Sequence, residues 1–381
     1  MWKLNHSINS DEITRAAIEG APAARRDDVP GGASGKRGPP RGTRRRNDDA
    51  ELAAACAHRC APHRGRRASD APARGQLEEE ISDGLRWTYG VQRVMHSGVS
   101  KFQDVQLVQT APFGKVLVLD GKLQSSEVDE KVYHECLVHP ALLHHPNPER
   151  VFICGGGEGS TAREVLRHRS VKECVMVDID KVVCDFCEEH LEDNSAAFKD
   201  PRLNLIIDDA RKQLEDAEGL FDVIIGDLAD PVFGGPCYQL YTQEFYRDVV
   251  AKKLAPGGIF VTQSGPCGVH SCKEVFSSIN TTLASVFPRV VPFAQHVFSF
   301  ADCWGWNMAF SDAATSVLSP EEMDARIAKR LTAETEFLDG VSWQGVTSLS
   351  KPVRQTLKTE THVYTVENPK FIPGQGVKTL V

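Results

Sequence analysis

Between residues 151 and 264, short apolar runs alternate with helical stretches, and that alternation limits the chain to few architectures. The runs VFICGG (151–156), ECVMVDID (173–180), LNLIID (203–208), FDVIIGDL (221–228) and GGIFVTQS (257–264) have the length and hydrophobicity of buried strands. Helical patterns in TAREVLRH and KVVCDFCEEHL separate the first three. Such alternation predicts an α/β fold with a mainly parallel sheet. Open sheets of this class hold ligands beyond the carboxyl ends of their strands. In this chain those ends carry acids and glycines.

The run FDVIIGDLADP ends in Asp227 and Asp230, three residues apart. Two acids there suit a cation, while each alone also suits a helix cap or turn. After the first strand comes GGGEGST (155–161), whose glycines, Gly155 and Gly157 among them, let a ligand approach the backbone at a helix start. Asp178 closes the next strand, about 20 residues on, where such folds bind ribose hydroxyls. Asp209 closes the third strand, placed to meet an adenine amino group. The set predicts an adenosine nucleoside. The loop has no phosphate-binding lysine, and Glu158 at its centre would repel a pyrophosphate or the carboxylate of S-adenosylmethionine. An amine suits it better: opposite charges at about 4 Å gain roughly 1 kcal/mol in water-like and 4 kcal/mol in protein-like surroundings.

With 381 residues and 41% hydrophobic content the chain can build one large domain or two ordinary ones. Residues 1–82, rich in Ala, Arg, Gly and Pro, are expected to form a disordered low-complexity extension. Residues 83–145 read as a small antiparallel β domain with a linking helix over 129–143 whose later turn Pro140 should disturb. The α/β domain then spans 146–320, with a long helix in KEVFSSINTTLASVF and closing strands in VVPFAQHVF and GWNMAFSD, and 321–381 forms a helical or irregular extension. Residues 1–80 carry a slight basic excess, so the remainder is more acidic than the net charge of −8 suggests. Such a body disfavours nucleic acid and suits a cationic small molecule.

Eleven cysteines, an odd and scattered number, predict reduced thiols. Cys184 and Cys187 form a CxxC inside a helical stretch, and Cys56, His58, Cys60 and His63 match no standard zinc spacing, so no metal is expected. No apolar run reaches the roughly 18–20 residues that span a bilayer. The N-terminus also lacks a secretory apolar segment, so a soluble, cytoplasmic protein without membrane contact is expected.

The segment LVLDGKLQSSEVDEKVYHECLVHPALLHHPNPERVFICGGGEGSTAREVLRH, followed by VDID, DDA and GDLADP, resembles the aminopropyltransferase (spermidine synthase) family over residues 85–312. Within the family, KVYHECLVHPALL, GGGEGS, GDLADPVFGGPCYQLYT and WGW look closest to the thermospermine synthases. The resemblance implies a small N-terminal β domain followed by a Rossmann-like, methyltransferase-type domain. It implies decarboxylated S-adenosylmethionine as co-substrate, no resident cofactor, a polyamine acceptor and a homodimer.

Carried over by motif, Gln103, Gln124, Gly155, Gly157, Glu158, Asp178 and Asp209 would bind the donor, with Glu158 facing its amine. Asp227 would be the catalytic acid–base residue, and Tyr133, His134, Asp230, Tyr241 and Trp304 would surround the acceptor. FGGPCYQLYT (233–242) would close over the reactants. His134, Gly265 and CWGW (303–306) depart from the usual spermidine synthases, which commonly carry a glutamine, an acid and a smaller segment there. They point away from putrescine and towards spermidine as acceptor, with thermospermine as product. Spermidine or spermine synthesis, an S-adenosylmethionine-dependent methyltransferase, and a non-catalytic polyamine-binding regulator are the competing readings.

Overall fold

The computed structural model describes residues 75–82, 84–232 and 237–372. Cys56, His58, Cys60 and His63, most of the expected extension, and residues 233–236 of the expected closing loop lie outside them.

Five antiparallel strands form the first sheet in the order β1 (Gly75–Ser82), β2 (Leu85–Val99), β3 (Asp104–Thr110), β4 (Gly114–Leu119) and β5 (Lys122–Ser126). Asp120 and Gly121, with φ of 50° and 74°, turn β4 into β5 in the left-handed conformation that matches strand twist in a two-residue hairpin. Leu77, Tyr89, Val108, Val116 and Val118 bury one face.

Strand β1 corrects the expectation that residues up to 82 lack structure. GQLEEEIS reads as solvated because three glutamates follow one another, but its main chain pairs with β2 from Gly75 opposite Val91 to Ser82 opposite Leu85. Leu77 is buried, and Glu79 accepts the Leu123 N–H at 3.3 Å and lies 3.7 Å from the Lys122 ammonium.

Seven strands form the second sheet in the order β11–β12–β10–β9–β6–β7–β8. Strands β6 (Arg150–Gly155), β7 (Glu173–Asp178), β8 (Leu203–Ile207), β9 (Phe221–Asp227) and β10 (Leu254–Pro266) are parallel. Strands β11 (Arg289–Val297) and β12 (Asp302–Phe310) close the edge in antiparallel fashion. The chain runs outward from β6 to β8 and resumes at β9 on the other side of β6, so the topological switch lies between β6 and β9. There the register sets Gly155 opposite Asp227.

Helix Glu130–His144 continues through Pro140, with every residue from Tyr133 to His144 buried. It shares a core with Val151 and Ile153 of β6 and Val223 and Ile225 of β9, so it belongs to the α/β layer and not to the β domain. The same core takes in Met323, Leu338, Trp343 and Val346, which makes the C-terminal helices part of the main fold. The helix expected over 273–287 covers only Phe276–Ala284.

Candidate active site

A cavity of about 1100 Å³ follows the carboxyl edge of the second sheet and is bounded by residues of β1, β4 and β5 from the first. That volume exceeds the usual span of about 300–1,000 Å³ for a single small ligand. Nine carboxylates line it against one lysine and one arginine.

One end is built on main chain. At φ +82°, Gly155 tolerates no side chain, since a Cβ there would lie 2.1 Å from the Asp227 carbonyl oxygen. Gly156 N–H donates to that oxygen at 3.1 Å, which closes the turn over the switch point. Gly157 N–H donates to Asp178 Oδ2 at 2.9 Å, and Asp180 N–H donates to Asp178 Oδ1 at 2.8 Å. Burial raises the Asp178 carboxyl above its ordinary range, and these two donors oppose the shift.

Asp209 lines the cavity as the N-cap of helix Ala210–Asp216, accepting Arg211 N–H at 2.8 Å and Lys212 N–H at 3.3 Å. The capping role weighed for Asp227 and Asp230 thus falls to a third acid.

Glu158 accepts hydrogen bonds from Ser125 at 2.9 Å and Ser160 at 2.6 Å. Burial raises its carboxyl and the His134 charge opposes that shift, so a cation arriving at this wall favours the ionised form. Neither serine was foreseen; nothing in their local pattern separates them from ordinary turn residues. Gln103 lines the cavity with its amide donating to Asp180 Oδ2 at 3.0 Å, an oxygen shared with Ser100 at 2.5 Å. Asp180 also caps helix Lys181–His190, so this unforeseen residue ties the first sheet to the second. Gln124 lines the cavity with its amide donating to the Lys122 carbonyl at 3.3 Å.

Asp227 stands at the middle. Tyr133 donates to its Oδ1 at 3.0 Å and Thr161, another unforeseen residue, to its Oδ2 at 2.6 Å. Burial and the Asp227 charge hold the Tyr133 phenol well above its ordinary range, so it remains a donor. His134 packs edge-on against Tyr133, with ring centroids 4.9 Å apart, and its Nδ1 lies 2.8 Å from the Glu130 carboxylate. Burial opposes its protonation, yet Glu130 and Glu158 hold its pKa above the usual imidazole value. His134 also lines the cavity, and the Asp227 charge favours its protonated form as well.

The opposite end is built from side chains of distant segments. Burial pushes the Asp230 carboxyl up to about 6, opposed by a 3.1 Å hydrogen bond from Gln263 Nε2. Gln263, absent from the expected set, organises this wall: its Nε2 also lies 2.7 Å from the Leu228 carbonyl and the Tyr241 hydroxyl. Its Oε1 accepts Gly265 N–H at 2.8 Å and Trp304 Nε1–H at 3.2 Å.

Trp304 lines the cavity, edge-on to Phe300 at 4.7 Å. Tyr241 stands behind the wall, fully buried, with its hydroxyl donating to the Ala229 carbonyl at 3.2 Å; it supports the Asp230 loop and does not line the cavity, contrary to expectation. Gly265 has φ +76° and a Cβ there would lie 2.6 Å from Val275 Cγ2, so this backbone leaves no place for an acid. Acids from elsewhere line the same end: Glu79, Glu274 and Asp302. Burial raises the carboxyls of Glu79 and Glu274.

Glu135, His139 and Glu164 form the cluster of metal-ligating type among the described residues, fully buried and outside the cavity lining. Arg167 lies 2.6 Å from Glu164 and 3.4 Å from Glu135, and Glu135 accepts the backbone N–H groups of residues 336–338. Its charges are already paired, and it fastens the C-terminal segment to helix Glu130–His144. The nine cysteines among the described residues are free thiols, with Cys184 and Cys187 buried.

Fold and cavity together suit a protein that binds a cationic small molecule at the carboxyl edge of a parallel sheet. Residues 130–318 match the spermine/spermidine synthase domain, and residues 77–127 match the spermidine synthase tetramerisation domain. The chain is 53% identical over 300 residues to the thermospermine synthase ACAULIS5 of Arabidopsis thaliana, covering 79% of this chain and 88% of that protein. It is 42% identical over 288 residues to a polyamine aminopropyltransferase of Aeropyrum pernix, covering 74% and 91%.

In three dimensions it resembles a crystal structure of spermidine synthase in complex with the transition state analogue AdoDATO, with a TM-score of 0.70, 26% identity and coverage of 77% and 99%. The spermidine synthase of Thermotoga maritima gives a TM-score of 0.67 at 26% identity, covering 75% and 94%. The chain belongs to the spermine/spermidine synthase family of aminopropyltransferases. The tetramerisation-domain match favours an oligomer, a coarser statement than the expected homodimer. No helix among the described residues is long and apolar enough to cross a membrane.

Proposed function

We propose that this protein transfers the aminopropyl group of decarboxylated S-adenosylmethionine to spermidine, forming thermospermine and 5'-methylthioadenosine. The observation that carries the choice of acceptor is the run of acids beyond Asp227: Asp230, Glu79, Glu274 and Asp302 line one end of the cavity. An acceptor with several ammonium groups uses such a run, whereas a diamine leaves part of it uncompensated. The identity to ACAULIS5 supports the same choice.

A neutral amine attacks the carbon beside the donor's sulfonium; the new C–N bond forms as the C–S bond breaks, and its electron pair stays on sulfur. Presenting the free base of an alkylammonium at pH 7 costs about 4–5 kcal/mol. Asp227, oriented by Tyr133 and Thr161, takes that proton. Asp230 attracts the acceptor, and Gln263 fixes the carboxylate's position. Glu158 meets the donor's amine and disfavours the carboxylated S-adenosylmethionine. Leaving group and electrophile both belong to the donor, so the step requires no resident cofactor.

Chromatography of the products from purified protein, decarboxylated S-adenosylmethionine and spermidine tests the reading. Thermospermine with equimolar methylthioadenosine is expected; spermine, or spermidine from putrescine only, would overturn the choice of acceptor or linkage. A cytoplasmic homodimer formed through the N-terminal sheet completes the proposal, and light scattering distinguishes it from a tetramer.

A further inference from the structure

The chain beyond residue 318 lies outside the matched synthase domain, yet its last described residues reach the end of the cavity that holds Asp230. Anchors bring it there. Tyr364 is fully buried; its N–H donates to Thr282 Oγ1 at 2.8 Å and its carbonyl accepts Gln243 N–H at 2.8 Å. Its hydroxyl donates to the Lys370 carbonyl, and the Lys370 ammonium donates to Ser278 Oγ at 3.0 Å. The Phe371 ring then meets Tyr238 edge-on at 5.7 Å, and Ile372 N–H donates to the Pro231 carbonyl at 3.0 Å. Pro231 directly follows Asp230, so this bond pins the Asp230 loop.

The Ile372 side chain lines the cavity. Its Cδ1 lies 3.4 Å from the point where a Cβ on Gly265 would stand, and Asp230 Oδ1 lies 3.7 Å from the same point. An apolar surface thus flanks the acid, in a space left open by the absence of a side chain at residue 265.

We propose that Ile372 is a specificity-determining residue for the acceptor: it supplies the wall against which the methylene chain of a linear polyamine lies once an ammonium group meets Asp230. An acid-lined channel alone attracts any polycation. Acid and methylene wall side by side favour a chain whose charges are separated by carbon, because a buried methylene contact alone discriminates by about ten- to two-hundredfold. The inference rests on the reading of this end as the acceptor site.

The test uses the full chain with Ile372→Ala, Ile372→Asp and the conservative Ile372→Val, at varied donor and varied spermidine or putrescine. Ile372→Ala is expected to raise the spermidine KM about tenfold, with donor KM and kcat within about twofold. Ile372→Val should largely restore the KM, and Ile372→Ala should narrow the preference for spermidine over putrescine. Donor and acceptor constants rising together, or acceptor constants within about twofold of wild type in both the Ala and Asp variants, would overturn the assignment. If the wild-type enzyme forms no product from any amine, the function itself fails, an outcome distinct from an active enzyme indifferent to Ile372. Ile372→Val, which retains a branched side chain in contact with the loop, keeps the question open to measurement if Ile372→Ala lowers the melting temperature.

Discussion

The end of the cavity proposed for the nucleoside is held by main chain: a glycine turn, two backbone N–H groups on Asp178, and a helix cap at Asp209, all within the consecutive strand ends of one sheet. The end proposed for the acceptor is lined by side chains from β1, the loop after β9, the end of β10, β12 and the C-terminal segment. At the first end backbone N–H groups hold the carboxylates of Asp178 and Asp209, whereas at the second the Asp230 carboxylate depends on another side chain, Gln263, to position it. The first therefore suits a constant nucleoside, and the second an acceptor that varies among relatives.

The sharpest way to break this contrast lies where the two ends meet. Asp227→Asn is expected to lower kcat by about 10²- to 10⁴-fold, the scale of a lost general base, while calorimetry finds donor binding nearly unchanged. Turnover within about tenfold of wild type would remove Asp227 from the proton path.

Next in size, Asp230→Asn should raise the acceptor KM about a hundredfold, the worth of a charge-assisted contact. Gln263→Ala should move the same constant in the same direction by less, since it positions Asp230 without replacing its charge.

Acidity offers a third test. Burial pushes the Asp230 carboxyl up to about 6, so the acceptor KM should rise about tenfold from pH 7 to pH 5 as that acid takes up a proton. Folding responds with the opposite sign. A carboxyl raised above its unfolded value contributes stability below the unfolded pKa and loses it as pH rises through about 6. Without ligand, Asp230→Asn should therefore melt above wild type at pH 7, and the gap should shrink by pH 5.

The smallest effect belongs to the helix cap at the proposed nucleoside end. Asp209→Ala removes a helix cap and should cost about 1 kcal/mol of stability, read as a drop in melting temperature, with a donor KM changed only a few-fold. A loss of activity as large as that of Asp227→Asn would make Asp209 more than a cap and a nucleoside contact.

The same contrast governs what the sequence reveals. Apolar runs, glycines at strand ends and the acids closing each strand follow from local rules, so the α/β sheet and the positions of Gly155, Glu158, Asp178 and Asp227 are legible in the sequence. Glu79 was not, because its strand is defined by pairing with β2, and three consecutive glutamates read locally as solvated. Gln263 looks like any strand residue until Asp230, Tyr241 and Trp304 converge on it. Tyr241 errs the other way: its motif suggested contact with substrate, but packing turns it inward beneath the Asp230 loop.

Initial rates of Glu158→Gln and Asp230→Asn, measured against both substrates, test the division between the two ends most directly. Glu158→Gln should raise the donor KM about tenfold and narrow the preference for decarboxylated over carboxylated S-adenosylmethionine, leaving the spermidine KM within about twofold; Asp230→Asn should do the reverse. Both constants rising together in both variants would contradict the account, because the cavity would then act as one undivided acidic pocket.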